Sequence, residues 1–286
     1  MTQYSSDSTA RAKDANISNT REIEKFAYSA QEWWDKNGPF KLLHQMNLVR
    51  IKYIVDAIMA LSSSFSKTKK VINILDIGGG GGLVAIPLAK AMRHTQNGLK
   101  CDIIVLDPNQ CNCKVVEDKA SELGMHNINT VCSSLEDFAA NRGKGGSCDY
   151  DVILLIEVLE HVYNRVEFLS AVVGLLSKSR SICIASTMNR TVTSYLQSII
   201  AAENILRIVP KNTHDWNNFI KPSEILYAMN NISNSISISN SEKKDNTPFT
   251  VQDISGMKYD VFRQKWSMSK NISNNYIMTI GNSNNK

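Results

Sequence analysis

One stretch of this chain restricts its fold more than any other. Lys70 to Asp76 (KVINILD) is a short, β-branched run ending in an acid, and it passes through Ile77 directly into the glycine run Gly78 to Gly82. An apolar stretch from Leu83 to Met92 follows at helical spacing. A strand that enters a glycine turn and leaves as a helix is the first half of a βαβ unit. Further short apolar runs lie at Cys101 to Leu106, Ile128 to Cys132, Tyr150 to Ile156 and Ser181 to Ala185. Helical patterns at Cys111 to Leu123 and Val166 to Leu176 separate them. Strands alternating with helices predict an α/β fold, a parallel sheet covered on both faces.

The flanks read differently. Met1 to Thr20 has no periodicity and is expected to be a disordered tail, or a weak transit peptide in a minority reading. Arg21 to Asp35 and Asn47 to Leu61 carry helical spacing, so residues 21–65 are expected to form a helical N-terminal lid on a main domain spanning 66–286. Beyond Ala185, Thr191 to Val209 reads as helix and Ile220 to Met229 as a shorter one. Ile232, Ile236 and Ile238, then Tyr259, Val261 and Phe262, then Tyr276 to Ile280, read as antiparallel strands. The Asn and Ser crowding of these late segments reads as compositional drift.

With 286 residues, 43% hydrophobic and 21% charged, the chain can bury one elaborated α/β core. A net charge of +5 favours anionic ligands or a membrane surface but falls short of a nucleic-acid footprint. No run reaches about 18 uninterrupted apolar residues, and the first twenty have no apolar signal core, so a soluble protein of an internal compartment is expected. The six cysteines show no C-x-x-C pair and no accompanying histidines, which predicts reduced, mostly buried thiols.

The chemistry concentrates after the strands. Asp76-Ile-Gly78-Gly79-Gly80-Gly81-Gly82 has the spacing D-x-G-x-G-x-G, with the acid ahead of the glycines. The dinucleotide fingerprint instead wants G-x-G-x-x-G with an acid about 20 residues further on. A second acid, Asp107, ends the next strand, where a carboxylate can accept both ribose hydroxyls of a nucleoside. This arrangement favours S-adenosylmethionine (SAM) over NAD, with Asp76, Gly78, Gly80 and Asp107 as cofactor contacts. Glu136 in Ser134-Leu-Glu-Asp-Phe stands where an acid would flank an adenine ring. An N-cap by Ser134 with acids in the first helical turn accounts equally well for that segment. The fourth strand ends in Ile156-Glu157-Val158-Leu159-Glu160-His161, where two carboxylates and an imidazole can converge on one face of a helical turn. Oxygen ligands with one imidazole suit a hard divalent ion such as Mg²⁺, whereas a solvated helix start needs no metal at all. Asn189 to Pro222 mixes large apolar residues with Arg190, Arg207, Lys211 and Lys221, as a substrate lid or an interfacial membrane segment would.

Taken in order, these segments resemble the ubiquinone-biosynthesis O-methyltransferases. The matching stretches are Glu22 to Ile54, with its WWD-x-x-G-x-F-K-x-L-H opening, Ile74 to Leu83, Leu106 to Pro108, Asp151 to Val162, Ser186 to Ile225, and SGMKYDVF with NYIMTI. The resemblance implies a Rossmann-like class I methyltransferase fold, a seven-stranded, mostly parallel sheet whose last strand is antiparallel. It implies SAM contacts at Arg50, Gly78, Asp107 and Ile156, and a divalent metal at Glu157, Glu160 and His161. It further implies a polyprenyl catechol substrate, a peripheral membrane surface and a quinone-biosynthesis complex as partners, and no nucleic acid. The implied compartment is a bacterial cytoplasm at the inner membrane, or a mitochondrial matrix. Without metal, His161 or His214 is the candidate general base. The resembled family usually has Cys at the place of Gly79 and Gly at the place of Asn212, which predicts a looser turn and an altered backbone before His214. A NAD-dependent oxidoreductase and a non-catalytic SAM-binding scaffold are the rival readings.

Overall fold

The computed structural model describes residues 32–63, 71–95, 98–142, 150–176, 180–196, 215–239 and 248–282. Its strands are β1 (Val71–Ile77), β2 (Lys100–Asp107), β3 (Ile128–Cys132), β4 (Val152–Ile156), β5 (Ile182–Met188), β6 (Phe249–Asp260), β7 (Lys265–Ser269) and β8 (Asn275–Asn282). The helices are α1 (Lys41–Ser62), α2 (Ala85–Met92), α3 (Gln110–Glu122), α4 (Leu135–Arg142), α5 (Arg165–Leu175) and α6 (Pro222–Ser239). All strands join one sheet in the order β3-β2-β1-β4-β5-β8-β6-β7. The pairs among β1 to β5 are parallel, and β8 runs antiparallel between β5 and β6.

The strands read as continuous apolar runs because the sheet is buried on both sides. Successive residues point to opposite faces, so Ile74, Ile103, Val152 and Ile184 pack under α1, α2 and α3. Leu75, Leu106, Ile153 and Ala185 pack under α4, α5 and α6. Asn109 caps α3 by accepting from the Cys111 N–H at 2.8 Å, and Asn164 caps α5 from the Glu167 N–H at 3.3 Å. The order reverses between β1 and β4, and at such a switch point the crevice beyond the strand ends takes the ligand.

Three expectations need correction. The sheet has eight strands, because Lys265–Ser269 folds back on β6 to make an extra edge strand. Asp260 drives that turn by accepting from the N–H groups of Phe262 and Arg263, both at 3.0 Å. Ile232 and Ile236 lie in α6 and not in a strand; with Ile225 and Met229 they recur every three or four residues and face the core. Nor is the Asn-rich stretch only drift, since Asn230 accepts from the Phe249 N–H at 2.8 Å and donates to the Phe249 carbonyl at 3.0 Å, fixing the start of β6. Among the five described cysteines, Cys101, Cys113 and Cys183 are buried while Cys111 and Cys132 are exposed.

Helix α1 starts at Lys41, before the expected Asn47, and belongs to the core through Met46, Ile54 and Ile58. The expected tail and most of the expected Arg21 to Asp35 helix lie outside the described residues, and Trp33 and Trp34 stand in turns.

Candidate active site

The glycine turn closes the carboxyl end of β1. Gly78, Gly80 and Gly82 have φ of 63°, 52° and 79°, values a side chain rarely adopts. A Cβ on Gly79 would lie 2.6 Å from Val105 Cγ1, so the turn is packed down on β2 and not loosened by the missing side chain. Asp107 organises it from the next strand. Its Oδ2 accepts the Gly80 N–H at 2.9 Å, and its Oδ1 accepts the Asn109 N–H at 2.9 Å and Asn112 Nδ2 at 3.1 Å. Burial pushes its pKa up, while these donors pull it back down. Asp76 has no such help. It is 1% exposed, its Oδ2 has no hydrogen-bond partner, and burial followed by the Asp107 charge raises its pKa to about 7, with Arg50 opposing.

Two tryptophans cover the turn. A Cβ on Gly81 would lie 2.2 Å from Trp33 Cγ, so only glycine permits the indole to rest there. Trp33 Nε1 donates to Asn112 Oδ1 at 2.9 Å, Trp34 Nε1 donates to the Gly81 carbonyl at 3.0 Å, and Trp33 stacks on Phe40 at 3.9 Å between centroids.

The second half of the site lies at the ends of β4 and β5. Arg50 is 2% exposed and donates from Nη1 to Glu157 Oε1 at 3.2 Å and from Nε to Asn47 Oδ1 at 3.0 Å. Burial lowers its pKa, and Glu157, Glu160 and Asp76 raise it in turn. Asn47 donates to the Leu83 carbonyl at 2.6 Å, tying Arg50 to the helix start beyond the glycines. Ser186 Oγ donates to Glu157 Oε1 at 2.7 Å, and Thr187 Oγ1 donates to Glu160 Oε2 at 2.8 Å. Burial and then the Glu157 charge raise the Glu160 pKa to about 7, with His161 lowering it. Glu157 adopts φ 56°, which costs a non-glycine residue on the order of 1–3 kcal/mol and aims its carboxylate back at Arg50.

The expected residues therefore fall into separate groups. Asp76, Gly78, Gly80 and Asp107 form one wall, and Arg50, Glu157 and Glu160 form the facing ionic network. Ile156 ends β4 and is buried. Glu136 sits half-buried in the first turn of α4, whose start is capped by Ser134 through the Asp137 N–H at 3.1 Å. His161 is exposed, on the single turn Leu159–His161 beside Glu160. The expected metal triad is not assembled: no cluster of three or more His, Cys, Asp or Glu side chains among the described residues has metal-holding geometry. The physical reason is that Glu157 and Glu160 point at Arg50, Ser186 and Thr187, so the donor set does not fit Mg²⁺ as arranged. His214, Arg207 and Lys211 lie outside the described residues. Sequence reasoning does not single out Asn47, Trp33, Asn112, Ser186 or Thr187, although the WWD opening and the start of the Ser186 to Ile225 stretch, which carry the resemblance, hold three of them.

The architecture, an acid-then-glycine turn at the switch point of a sheet ending in reversed strands, defines a class I SAM-dependent methyltransferase. A family model described as a methyltransferase domain matches residues 42–231. The curated relatives include the ubiquinone biosynthesis O-methyltransferase of Rickettsia felis, 34% identical over 93% of this chain and 95% of its own. Those of Rickettsia prowazekii (35%, covering 92% and 90%) and Pelagibacter ubique (34%, covering 92% and 97%) carry the same name. The chain belongs to this family, the ubiquinone biosynthesis O-methyltransferases, and is a SAM-dependent methyltransferase. Solved structures support the fold. The plantazolicin methyltransferase BamL with SAH aligns with a TM-score of 0.54 at 15% identity, covering 95% of this chain and 99% of its own. Magnesium protoporphyrin IX methyltransferase from Synechocystis with SAH gives 0.53 at 17%, covering 93% and 100%.

Proposed function

We propose that the protein methylates a catechol hydroxyl of polyprenylated ubiquinone precursors, with SAM held by Arg50, Asp76, Gly78, Gly80, Asp107, Glu136 and Ile156. The observation that carries the placement is Asp76. A buried carboxylate oxygen with no partner, beside a turn held open by positive-φ glycines, fits a cationic, hydrogen-bond-donating ligand. SAM supplies an electrophilic methyl group on a sulfonium centre. Asp107 and the glycine backbone bind the nucleoside end, and Arg50 offers its guanidinium to the carboxylate of the amino-acid end. Holding two reactants in line is worth roughly 7–11 kcal/mol, so no covalent enzyme intermediate is required.

The phenol must lose a proton, having a pKa of about 10 in water. Glu160, poised near neutrality and next to His161, supports a pair in which either group takes that proton. His214 stays a candidate by sequence alone. No step is routed through a metal ion, because the carboxylates are already engaged.

Work at a membrane surface follows from an isoprenoid tail. No helix among the described residues is long and apolar enough to cross a bilayer. Exposed apolar side chains instead gather beyond the carboxyl ends of the strands. Tyr163 and Val166 follow β4, and Val192, Tyr195 and Leu196 follow β5. The β6–β7 turn projects from the same end, with Phe262 wholly exposed beside Arg263 and Lys265. This supports peripheral attachment, and the reading carries with it the cytoplasmic face of a bacterial inner membrane or, as the alternative, the matrix face of a mitochondrial one.

One assay tests both parts. With labelled SAM and a short-chain prenyl catechol, an O-methyl product is expected, and Glu160→Gln should lower kcat about 10²-fold or more at neutral pH. With a long-chain catechol in anionic liposomes, Phe262→Ser should raise KM while leaving the short-chain reaction untouched. Methylation elsewhere than oxygen, or none, rejects the reaction; equal KM values reject the membrane part.

A further inference from the structure

Cys113 and Cys132 bracket the turn that carries Asp107. Cys132 ends β3 directly beside Asp107 in the register of the two strands, and Cys113 sits in the first turn of α3. Their thiols donate to successive carbonyls of that turn, Cys113 Sγ to Asp107 at 3.6 Å and Cys132 Sγ to Pro108 at 3.6 Å. The Cys132 side chain is near enough to help raise the Cys113 pKa, after burial and the Asp107 charge. One is buried and the other exposed. The methylation chemistry uses neither.

From this geometry we infer that Cys113 and Cys132 form an oxidation site, closing to a disulfide under a hydroperoxide and thereby weakening SAM binding. The exposed Cys132 is the first to react. Its thiolate attacks one peroxide oxygen, hydroxide leaves, and Cys132 becomes a sulfenic acid. Cys113 sulfur then attacks Cys132 sulfur; the S–O bond breaks and the hydroxyl departs with the Cys113 proton as water. Two thiols are oxidised and one peroxide is reduced to water. Burial pushes the Cys113 thiol up to about 12, so little of it is thiolate near neutrality and its attack on the sulfenic acid is the slow step of closure.

The link to SAM is geometric. A disulfide holds its sulfurs about 2.05 Å apart in a fixed torsion, so both thiol hydrogen bonds onto the Asp107 and Pro108 carbonyls are lost. The strand end and the helix start are drawn together around Asp107. That carboxylate then shifts relative to the Gly80 N–H and Asn112, which it now holds at 2.9 and 3.1 Å.

The full-length protein is treated with hydrogen peroxide, its cross-links are mapped by mass spectrometry, and SAM affinity is measured by titration calorimetry before and after. Binding by the reduced protein is measured first, so a failure of the cofactor assignment is seen independently of the thiols. The expected result is a Cys113–Cys132 peptide, SAM affinity down roughly tenfold, and recovery with a thiol reductant. Cys132→Ser should keep its affinity through the treatment, and Cys111→Ser should behave as the parent. A Cys111–Cys132 link, overoxidised Cys132 without a cross-link, or unchanged affinity in the cross-linked protein overturns the inference.

Discussion

The β1–β2 and β4–β5 ends of this site are both built on acidic pairs, yet they satisfy their carboxylates by different means. Asp107 is held by two backbone N–H groups and one amide, all within the turns that flank it. Glu157 and Glu160 are held by Arg50, Ser186 and Thr187, from a helix and a strand far away in sequence. Backbone donors come with the turn whatever the side chains are. Side-chain donors must each be placed, and each can be lost by one substitution. On the function proposed above, the first arrangement meets the nucleoside of SAM, and the second meets its amino-acid end through Arg50 and the oxygen that receives the methyl group through Glu160.

That contrast predicts unequal tolerance. Glu157→Ala should be the most damaging change, costing about 3–5 kcal/mol, because it strands the buried Arg50 charge. Adding Arg50→Met should recover part of that loss in a denaturant melt while SAM binding stays poor. Equal stability of the single and double variants would mean that the ion pair carries no weight.

Asp76→Asn probes the other end, with an expected gain of about 1–2 kcal/mol at pH 8. The sign follows from the raised pKa. The protonated acid is the form the fold prefers, so its contribution is complete below the unfolded pKa near 4 and is lost as pH rises through about 7. Thermal melts across that range should fall for the parent and flatten for the variant, with SAM affinity reduced. Parallel curves would show that the Asp76 charge is already compensated.

The smallest effect expected is about 1 kcal/mol of destabilisation for Gly79→Cys, whose Cβ would press on Val105 Cγ1. Val105→Ala should offset it. If the single variant is as stable as the parent, β2 yields at no cost and the turn is softer than its packing indicates.

The first end was legible in sequence because its chemistry is local. Asp76, the glycines and Asp107 sit at strand ends whose spacing alone announces them. At the second end, the strand terminus with Glu157 and Glu160 was equally visible, but not what its carboxylates face. Ser186 and Thr187 are ordinary residues of a buried strand until β5 is laid beside β4. Arg50 came from family resemblance alone, since periodicity makes it one more cation on a helix. The described residues do not assemble the expected metal triad, and the reason is the same: i, i+3 spacing brings side chains near each other but says nothing about competing donors. In α6, Ile232 and Ile236 were misread because a helical stripe sampled every fourth residue also fits a period of two.

Helix α1 has one further consequence, for the order in which the chain assembles. Tyr53 in α1 hydrogen-bonds to Thr279 in β8 across 226 residues of sequence. Ile54 and Ile58 share a core with Ile277. During synthesis the helix that carries Arg50 emerges early, but the last strand it packs against is made at the end. Contacts of such separation slow folding, since the intervening loop must be closed before they contribute. Until then the apolar face of α1 lacks the cover that β8 gives it, so the helix that carries Arg50 is fixed in place only late in folding.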